Sequence, residues 1–351
     1  MIGELAVTVT TTSALRSAYE LLGWSRSVID APMRAAVDLM PSSMRLICGY
    51  HLGWWDHHGT ACAGTAGKAI RPALALVSAR IAGGAHVEAV PAAVAVELVH
   101  NFSLLHDDVM DNDRTRRHRP TAWTVFGVDQ AILAGDAMLA AAYRVLAASG
   151  SPHTATAVRW LSECVERLCD GQSNDLSFTH RRDVTVDECV RMAQAKTGAL
   201  LGTSCALGAL LSGADARQID AVRAFGEHLG LTFQLVDDML GIWGDKAATG
   251  KPAGGDLACR KQSFPVVAAL ASRTRAGADL SALYAQPEPF SATQVTMAAQ
   301  LVESAGGREW TRRRAAFEVT SALQSLDVTG IGTQTRADLL ALAELITQRG
   351  R

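Results

Sequence analysis

The chain of 351 residues is poor in aromatic side chains, which make up 5% of it, and carries no large excess of charge of either sign. Its formal net charge of −2 provides no global positive field, which argues against nucleic acid as a partner. Alanine, leucine and valine are abundant, and this composition favours packed helices over sheets. With 48% hydrophobic residues, the chain is long enough for one large or two small domains.

The seven cysteines are scattered, form no CxxC pair and show no zinc-type spacing with histidine, so we expect reduced thiols in a cytoplasmic protein. The first residues lack a basic segment followed by an apolar core, so no signal peptide is predicted. No apolar run reaches the roughly 18 residues of a membrane span. The longest candidate, Gly198–Leu211, is interrupted by Thr203, Ser204 and Gly208 and fits a core helix better.

Hydrophobic periodicity predicts a succession of helices along the chain. Residues 1–13 are predicted to fray. Pro72 and Pro91 suit the first turns of two helices. The helices predicted from apolar spacing cover Ser13–Leu22, Ser27–Leu39, Glu88–Leu105, Trp123–Ser149, Thr154–Cys169, Thr185–Leu211, Ser291–Gly306, Glu309–Leu326 and Arg336–Gln348.

A largely apolar helix delivers three carboxylates at DDxxD spacing: Asp107, Asp108 and Asp111. Asp107 and Asp111 share a helical face and repel each other unless a cation lies between them. Their hard oxygens suit Mg²⁺, which proteins usually hold through one or two carboxylates plus phosphate. Arg116 and Arg117 follow and can fork onto phosphate oxygens. A solvated acidic face is the alternative, but the apolar run ELVHNFSLL before these acids favours a functional site.

A second apolar run ends in Asp237 and Asp238, about 130 residues later. Gly241 stands where a third carboxylate would complete a second DDxxD motif, and Asp245, two turns beyond the pair, is a candidate replacement. Two apolar helices that both end in paired aspartates suggest helices facing each other across one cavity.

Two further features place cations on or near predicted helices. Lys68 and Arg71 share a helical face just after Gly67, and cations near a helix start can form an anion site, although such a cluster by itself is a weak signal. Lys196 is a lone cation in an apolar stretch, so it must either snorkel to water or meet an anion.

Gln172 and Asp175 are polar residues three apart between apolar neighbours. They either line a wet cavity or face solvent, and the sequence does not choose between these alternatives.

Two facing carboxylate clusters surrounded by arginines and lysines form a cage for a metal-bridged diphosphate. The helices that carry them are apolar, so hydrocarbon fits beneath the diphosphate, and we expect a prenyl diphosphate substrate. Mg²⁺ and cations would neutralise the leaving diphosphate. Apolar walls would shelter the resulting allylic cation from water.

Five elements then occur in a recognisable order: GKxxRP, DDxxDxxxxRR, GQxxDL, KTG, and QxxDD followed by TGKPxGxDL. In these elements the chain resembles the isoprenyl (polyprenyl) diphosphate synthase family, and more closely the geranylgeranyl diphosphate synthases of actinobacteria. The resemblance spans roughly residues 66–270 and continues more weakly through Ala305–Glu318. It implies an all-α isoprenoid synthase fold, a helical bundle of about a dozen helices around a central cavity, with a single domain over residues 1–351. It also implies a homodimer.

The resemblance implies roles for residues at matching positions. Three Mg²⁺ ions are expected. Their expected ligands are Asp107, Asp111 and Asp237, supported by Asp108 and Asp238. The expected ligands of the allylic prenyl diphosphate are Arg116, Lys196 and Lys251. Those of the second substrate, isopentenyl diphosphate, are Gly67, Lys68, Arg71, His100 and Arg117. Thr197 and Gln234 would steady the allylic cation with their oxygen dipoles.

Phe102 and Ser103 stand five and four positions before the first motif aspartate, where bulky residues shorten the product in this family. One aromatic residue beside a small one resembles the C20 pattern, so geranylgeranyl diphosphate is the expected product. A C15 farnesyl or a C25 product is the alternative. A class I terpene cyclase on the same fold is a rival, disfavoured because the isopentenyl residues are retained. A non-catalytic partner subunit is disfavoured by the intact first acidic motif.

Overall fold

Helices make up most of the residues that the computed structural model describes, which are 16–62, 67, 69–244, 254–328 and 330–347. Helices α1 to α6 cover Ala18–Asp38, Ser42–His51, Ile70–Ser78, Val90–Met110, Ala122–Phe126 and Val128–Ala147. Helices α7 to α10 cover Thr154–Phe178, Val186–Ala193, Ala199–Leu211 and Ala216–Trp243. Helices α11 to α16 cover Gly255–Ala258, Phe264–Leu270, Arg275–Tyr284, Ala292–Ser304, Gly307–Ser325 and Thr333–Thr347.

Strands are confined, in these ranges, to one small hairpin after α4. Strand β1, Thr115–Arg116, pairs antiparallel with β2, Arg119–Pro120. Four short segments complete the helical structure: 3₁₀ turns at Ala79–Ala82, His86–Ala89 and Leu326–Val328, and a π segment at Gln194–Gly198. The all-α prediction is confirmed.

Helix α1 is one continuous helix, so the prediction of two helices, Ser13–Leu22 and Ser27–Leu39, is wrong. It begins with a capping box, in which the Glu20 carboxylate accepts from the Ser17 backbone N–H at 2.7 Å. Its buried residues follow one stripe at helical spacing on both sides of the expected break and face α3, α4 and α16. Burial of that stripe outweighs the cost of Pro32 inside the helix. Residues 1–13, predicted to fray, lie outside the described residues.

Helices α4 and α6 pack side by side, and α4 carries the first acidic motif at its end. The prediction of one helix over Trp123–Ser149 is wrong at Gly127, where the chain turns with φ of +94° between α5 and α6. Glycine adopts such a φ without steric cost. The break lets α6 lie against α4, where a Cβ on Gly135 would meet the His106 ring at 2.3 Å.

Helices α7, α9 and α10 meet at the π segment, where their backbones approach closely. A Cβ on Gly171 of α7 would lie 2.4 Å from the Lys196 nitrogen, and one on Gly230 of α10 would lie 2.4 Å from the Gly198 Cα. Helix α7 runs on to Phe178, beyond the predicted end at Cys169. The predicted helix over Thr185–Leu211 is interrupted by the π segment, a feature frequent at functional sites.

One helical stretch among the described residues, His86–Met110, is long and apolar enough by length and composition to cross a membrane. This differs from the expectation that no such run exists, because its mean hydropathy stays high although Glu97 and His100 interrupt it. Within its most apolar stretch of 18 residues, 67% is buried inside the protein. Packing against α3, α6 and α9 accounts for its apolar composition.

Candidate active site

Asp107 and Asp111 lie one turn apart at the C-terminal end of α4, as the DDxxD spacing predicts. Burial raises the pKa of Asp107 to about 6, opposed by Lys196 and assisted by the charge of Asp111. Burial also raises the pKa of Asp111, again opposed by Lys196. Carboxylates at a helix C-terminus meet a negative dipole as well. Two mutually repelling acids in this place favour a cation between them.

Asp108 points away from that pair and is almost fully buried. Arg116 Nε of β1 donates to its Oδ1 at 2.7 Å. Burial raises the pKa of Asp108 to about 6, and the Arg116 charge opposes that rise. Arg116, expected on the allylic diphosphate, is thus fixed beside the first motif, and Asp108 is its anchor.

Arg71, His100 and Arg117 gather on the other flank of α4. Arg117 has a left-handed φ of +51°, and a Cβ on Gly67 would come within 2.6 Å of its Nη2. Burial lowers the pKa of His100 well below its ordinary value, and Arg71 and Arg117 lower it further. Neutral His100 beside two guanidinium groups suits an anion, as expected for the second diphosphate. Lys68, assigned to the same substrate, lies outside the described residues.

Glu97 joins this arginine group, although the sequence analysis gave it no role. It is 9% exposed, and Asn101 Nδ2 donates to its backbone oxygen at 2.8 Å and to Oε1 at 3.3 Å. Burial raises the pKa of Glu97, opposed first by Arg71 and then by Arg117. A glutamate inside an apolar helix was the available signal. Glu97 offers the two arginines a buried counter-charge.

A cavity of about 380 Å³ opens beside these groups, between α1 and α4. Its polar wall includes Gly67, Glu97 and Arg117, and its apolar wall includes Ile29 and Met33 of α1. A pocket with cations at one side and aliphatic side chains at the other suits a short hydrocarbon diphosphate.

Lys196 meets an anion, one of the two outcomes that its sequence position allowed. Its Nζ donates to Asp175 Oδ2 of α7 at 2.6 Å. Gln172, one turn before Asp175, is 5% exposed and has no hydrogen-bond partner for either amide atom. Gln172 therefore does not face solvent, and the Asp175 side chain is partly buried, at 22% exposure.

Thr197 and Gln234, both expected beside the allylic carbon, are brought together. Thr197 Oγ1 of the π segment donates to Gln234 Oε1 of α10 at 3.3 Å. Gln234 Nε2 in turn donates to Asp238 Oδ1 at 3.0 Å. This chain of hydrogen bonds links the π segment to the second acidic motif and fixes the orientation of the Gln234 amide.

The second motif, like the first, combines an exposed aspartate with a buried one. Asp237 is exposed at the surface of α10, whereas Asp238 is buried. Besides Gln234, Asp238 accepts from Lys261 Nζ at 3.2 Å and from the Phe264 backbone N–H at 2.9 Å. Asp238 therefore joins α10 to the start of α12 and supports the site.

Lys261 belongs to this charged cluster, although the sequence analysis gave it no role. Its pKa is raised well above the ordinary value, first by Asp238, and also by Asp256, Asp175 and Asp237. A lysine twenty-four residues after Asp237 gave no spacing signal. Lys251 and Asp245, which the sequence analysis did single out, lie outside the described residues.

The two acidic motifs lie close enough for their charged groups to influence each other. Lys261, which is paired with the second motif, lowers the pKa of Asp111 in the first, and Asp175 raises it. Among the described residues no three carboxylate, histidine or cysteine side chains are close enough to hold a metal by themselves. Mg²⁺ needs only one or two carboxylates when phosphate and water complete its shell. Hard oxygens, and repulsion that a cation would relieve, fit that ion.

Phe102 and Ser103 lie one turn below the first motif, and both are buried. The Phe102 ring packs edge-on against His106, with ring centres 5.1 Å apart, on the side of α4 that faces α6. Ser103 is one turn before Asp107 on the same face and donates to the His100 carbonyl at 2.8 Å. A small residue thus stands directly beneath Asp107, with an aromatic one beside it.

Known proteins resemble this chain along almost its whole length. A family model described as polyprenyl synthetase matches residues 54–302, which include both acidic motifs. The (2E,6E)-farnesyl diphosphate synthase of Mycobacterium tuberculosis is 44% identical over 337 residues, 95% of this chain and 94% of that protein. The geranylgeranyl diphosphate synthase of the same organism is 46% identical over 330 residues, 94% of this chain and 93% of that protein. A solved polyprenyl synthetase from Streptomyces coelicolor A3(2) superposes with a TM-score of 0.89 at 46% identity, covering 93% of this chain and 98% of that one.

Proposed function

This chain belongs to the polyprenyl synthetase family and is a trans-prenyltransferase, and from that premise we propose that it makes C20 geranylgeranyl diphosphate. The substrates would be isopentenyl diphosphate and an allylic prenyl diphosphate. One observation carries the two-substrate reading: cationic groups flank α4 on both sides. On one side, the charge of Lys196 lowers the pKa of Asp107 and of Asp111. On the other side, the charges of Arg71 and Arg117 lower the pKa of His100.

The allylic diphosphate would be held between the two acidic motifs. Asp107, Asp111 and Asp237 would hold Mg²⁺, which supplies charge neutralisation for the departing diphosphate. Lys196 and Arg116 would add fixed positive charge, each kept in place by its aspartate partner at 2.6 and 2.7 Å. Such preorganised charges stabilise the leaving group without moving.

The allylic cation would form beside Thr197 and Gln234. The oxygens of these side chains carry partial negative charge, and their mutual hydrogen bond at 3.3 Å fixes them. The buried apolar residues of α4 and α9 around this place exclude water, so the cation survives until the second substrate attacks. No side-chain nucleophile takes part.

Isopentenyl diphosphate would bind at the opposite flank of α4. Arg71 and Arg117 would fork onto its diphosphate, with His100 as a neutral hydrogen-bond donor and Gly67 leaving room for the Arg117 guanidinium. Glu97 would hold the arginines in place. Lys68 and Lys251 stay assigned by resemblance alone, to the isopentenyl and the allylic diphosphate.

The product length is the open choice, because relatives of similar identity are named for C15 and C20 products. The pairing of Phe102 with Ser103 supports C20 here. Incubation with Mg²⁺, isopentenyl diphosphate and each allylic primer in turn, followed by mass analysis of the products, tests it. A dominant C20 product is expected. A chain that stops at C15 or continues to C25 contradicts the length but leaves the transferase intact.

The same incubation separates a terpene cyclase from a synthase. A cyclase ionises one diphosphate and needs no isopentenyl site, whereas this chain retains Arg71, His100 and Arg117 around α4. We expect no hydrocarbon from geranylgeranyl diphosphate alone. Release of hydrocarbon without isopentenyl diphosphate would favour the cyclase.

We also propose a homodimeric, single-domain and cytoplasmic protein. Val128, Ile132 and Leu133 leave 40–50% of their surface exposed along one face of α6, which supports contact with a second copy. Light scattering should give twice the chain mass for the wild type and about one chain mass for Leu133→Asp. Phe317→Asp, at another exposed apolar position, is the matched control and should stay dimeric.

A further inference from the structure

A row of buried polar side chains runs along one face of α4. Asn101 and Asp108 follow Glu97 by four and eleven residues, so all three lie on one side of the helix. Glu97 is 9% exposed, and the other two are 1% exposed. Buried polar groups cost free energy unless they are hydrogen-bonded, so the groups that meet this row decide whether it is stable.

The end of α2 fixes the hairpin β1–β2 beside α4. Arg119 Nη1 donates to the Tyr50 carbonyl at 3.3 Å, and its guanidinium lies 4.5 Å from the centre of the Tyr50 ring. Tyr50 Oη donates to the Pro120 carbonyl at 2.8 Å. The two residues that join the strands, Arg117 and His118, have left-handed φ values of +51° and +62°, and neither is glycine. Such a strained turn persists only where its surroundings hold it in place.

His51, the last residue of α2, lies between these arginines and the polar row on α4. Burial, and after it the charges of Arg117 and Arg116, lower the pKa of His51 to about 3. The Asn101 side chain, which is in hydrogen-bonding reach of the ring, opposes that fall. Because the ring is neutral at neutral pH, it can lie among guanidinium groups without repelling them.

The hydrogen bonds of Asn101 indicate which ring nitrogen faces the arginines. Asn101 Nδ2 donates to the Glu97 carbonyl at 2.8 Å and to Glu97 Oε1 at 3.3 Å, so Oδ1 is the atom that can accept from His51. His51 Nε2 is buried and has no hydrogen-bond partner in the described part of the chain, so Nδ1 is the nitrogen that reaches Asn101. A neutral ring that donates through Nδ1 can only accept at Nε2.

His51 and Asp108 line one small cavity, of about 30 Å³, together with Arg116 and Arg117. Asp108 Oδ1 accepts from Arg116, whereas Asp108 Oδ2 is buried and meets no hydrogen-bond donor among the described residues. Two acceptors thus border a space that has room for about one or two waters. A water can donate to both acceptors and accept from a guanidinium, whereas chloride would leave both acceptors without a donor.

We propose that His51 is a positioning residue for the second diphosphate site and holds the Arg117 side chain through a water shared with Asp108. The inference rests on the proposed function, in which Arg117 binds isopentenyl diphosphate. Arg117 lines both this cavity and the 380 Å³ cavity beside α1, so a water behind it fixes the direction of its fork. His51 touches neither substrate and acts through a residue that does.

Steady-state kinetics of three His51 variants tests this role, because glutamine and asparagine reach different ring positions. The amide of His51→Gln can accept at the position of Nε2, whereas that of His51→Asn reaches only the position of Nδ1. The KM for isopentenyl diphosphate should rise by about 10-fold in His51→Asn and His51→Leu, as for loss of one buried hydrogen bond, and by less than about 3-fold in His51→Gln. The kcat should change by less than about 3-fold, since the reacting atoms keep their contacts.

The matched control is His153→Leu, at an exposed histidine just before α7, which should behave as wild type. Equal KM values in His51→Gln and His51→Asn would overturn the role of Nε2. If circular dichroism shows that His51→Leu does not fold, the two amide variants decide by themselves.

A double-mutant cycle with Arg117→Lys establishes whether His51 acts through Arg117. Lysine keeps the positive charge and loses the planar fork that His51 would orient. Adding His51→Leu to Arg117→Lys should therefore raise the KM for isopentenyl diphosphate by less than about 2-fold more. Additive effects of the two substitutions would overturn the proposal.

Failure of this inference is distinguishable from failure of the proposed function. In crystals of the wild type, an ordered water within about 3 Å of His51 Nε2 and Asp108 Oδ2 is expected, and a cavity without one would overturn the shared water. A wild type that forms product while all three His51 variants match His153→Leu counts against His51 alone. A wild type that forms no product from isopentenyl diphosphate, Mg²⁺ and any allylic primer counts against the proposed function.

Discussion

Lys196 Nζ on the π segment lies 2.6 Å from Asp175 Oδ2 on α7. The π segment adds a residue to the helical turn and so directs Lys196 and Thr197 toward the site instead of into the packed face of α9. Asp175 holds the ammonium group in reach of Asp107 and Asp111. The positive charge of Lys196 lowers the pKa of both acids, against the rise that burial causes. One lysine thus counters the charge of both acids that we propose as metal ligands.

Replacing Lys196 with alanine should reduce kcat with an allylic diphosphate by about 10²–10³-fold, the scale for removing one preorganised charge from a developing anion. The KM for isopentenyl diphosphate should change little, because that substrate is assigned to the other flank of α4. Arg191→Ala, an exposed cation on α8, is the control and should behave as wild type. Steady-state kinetics with each substrate varied in turn checks this, and an unchanged kcat would remove Lys196 from the site.

Asp107→Asn should abolish turnover and yet stabilise the chain above about pH 6. The folded pKa of Asp107, about 6, lies above its ordinary value of 3.8, so the ionised side chain opposes folding once the pH exceeds the folded pKa. The gain in unfolding free energy should be on the order of 1–3 kcal/mol at pH 8 and should vanish as the pH falls through 6 toward about 4.

Denaturant unfolding at several pH values in EDTA measures this gain, with Asp279→Asn as the exposed control. A destabilised Asp107→Asn at pH 8 would show that the burial of Asp107 does not carry the expected cost. The Mg²⁺ concentration for half-maximal activity should rise as the pH drops below about 6, since Mg²⁺ must then displace a proton from Asp107.

Gly230→Ala should destabilise the chain by about 1–3 kcal/mol, because its Cβ would lie 2.4 Å from the Gly198 Cα and backbone has no room to yield. The displacement should also weaken the contact between Thr197 and Gln234, so kcat should fall with stability. Gly23→Ala is the matched control on α1, where a Cβ meets nothing within 4 Å. It should raise stability by about 0.5–1 kcal/mol. Thermal melts of both variants decide, and equal effects would contradict the close packing.

Phe102→Ala should lengthen the product beyond C20, because it removes the bulky side chain, one turn below the first motif, that we propose as the limit of product length. Truncation of a buried aromatic residue also costs about 3–5 kcal/mol, so Phe102→Leu should be measured beside it. Phe317→Ala, 62% exposed, is the control and should leave the product unchanged. Mass analysis of the prenyl products checks this, and an unchanged length in both Phe102 variants would mean that the floor is assigned wrongly.

The acidic motifs, the helical class and the approximate bounds of α14 to α16 could be predicted because they depend on local spacing. Asp107 and Asp111 share a face on any helix, and apolar periodicity is a property of the segment itself. The continuous α1 could not be predicted, since only its neighbours show that one stripe is buried on both sides of Gly23.

The contacts that complete the site depend on distant parts of the chain and left no pattern. The π segment at Lys196 has the same composition as a regular helix, and the pairing of Lys261 with Asp238 joins residues 23 apart. The approach of the Asp256 carboxylate to Gly241 likewise joins residues 15 apart. Sequence indicated which chemistry to expect, and tertiary packing determined which charged groups lie together.

The most direct measurement is the rate at which wild type, Asp107→Ala and Asp237→Ala incorporate labelled isopentenyl diphosphate into prenyl product at saturating Mg²⁺. Circular dichroism of the same samples establishes that each variant is folded. The account predicts that both variants lose at least about 10²-fold in rate, since each removes a ligand of the metal that neutralises the leaving diphosphate. Full-rate condensation by either folded variant would contradict it.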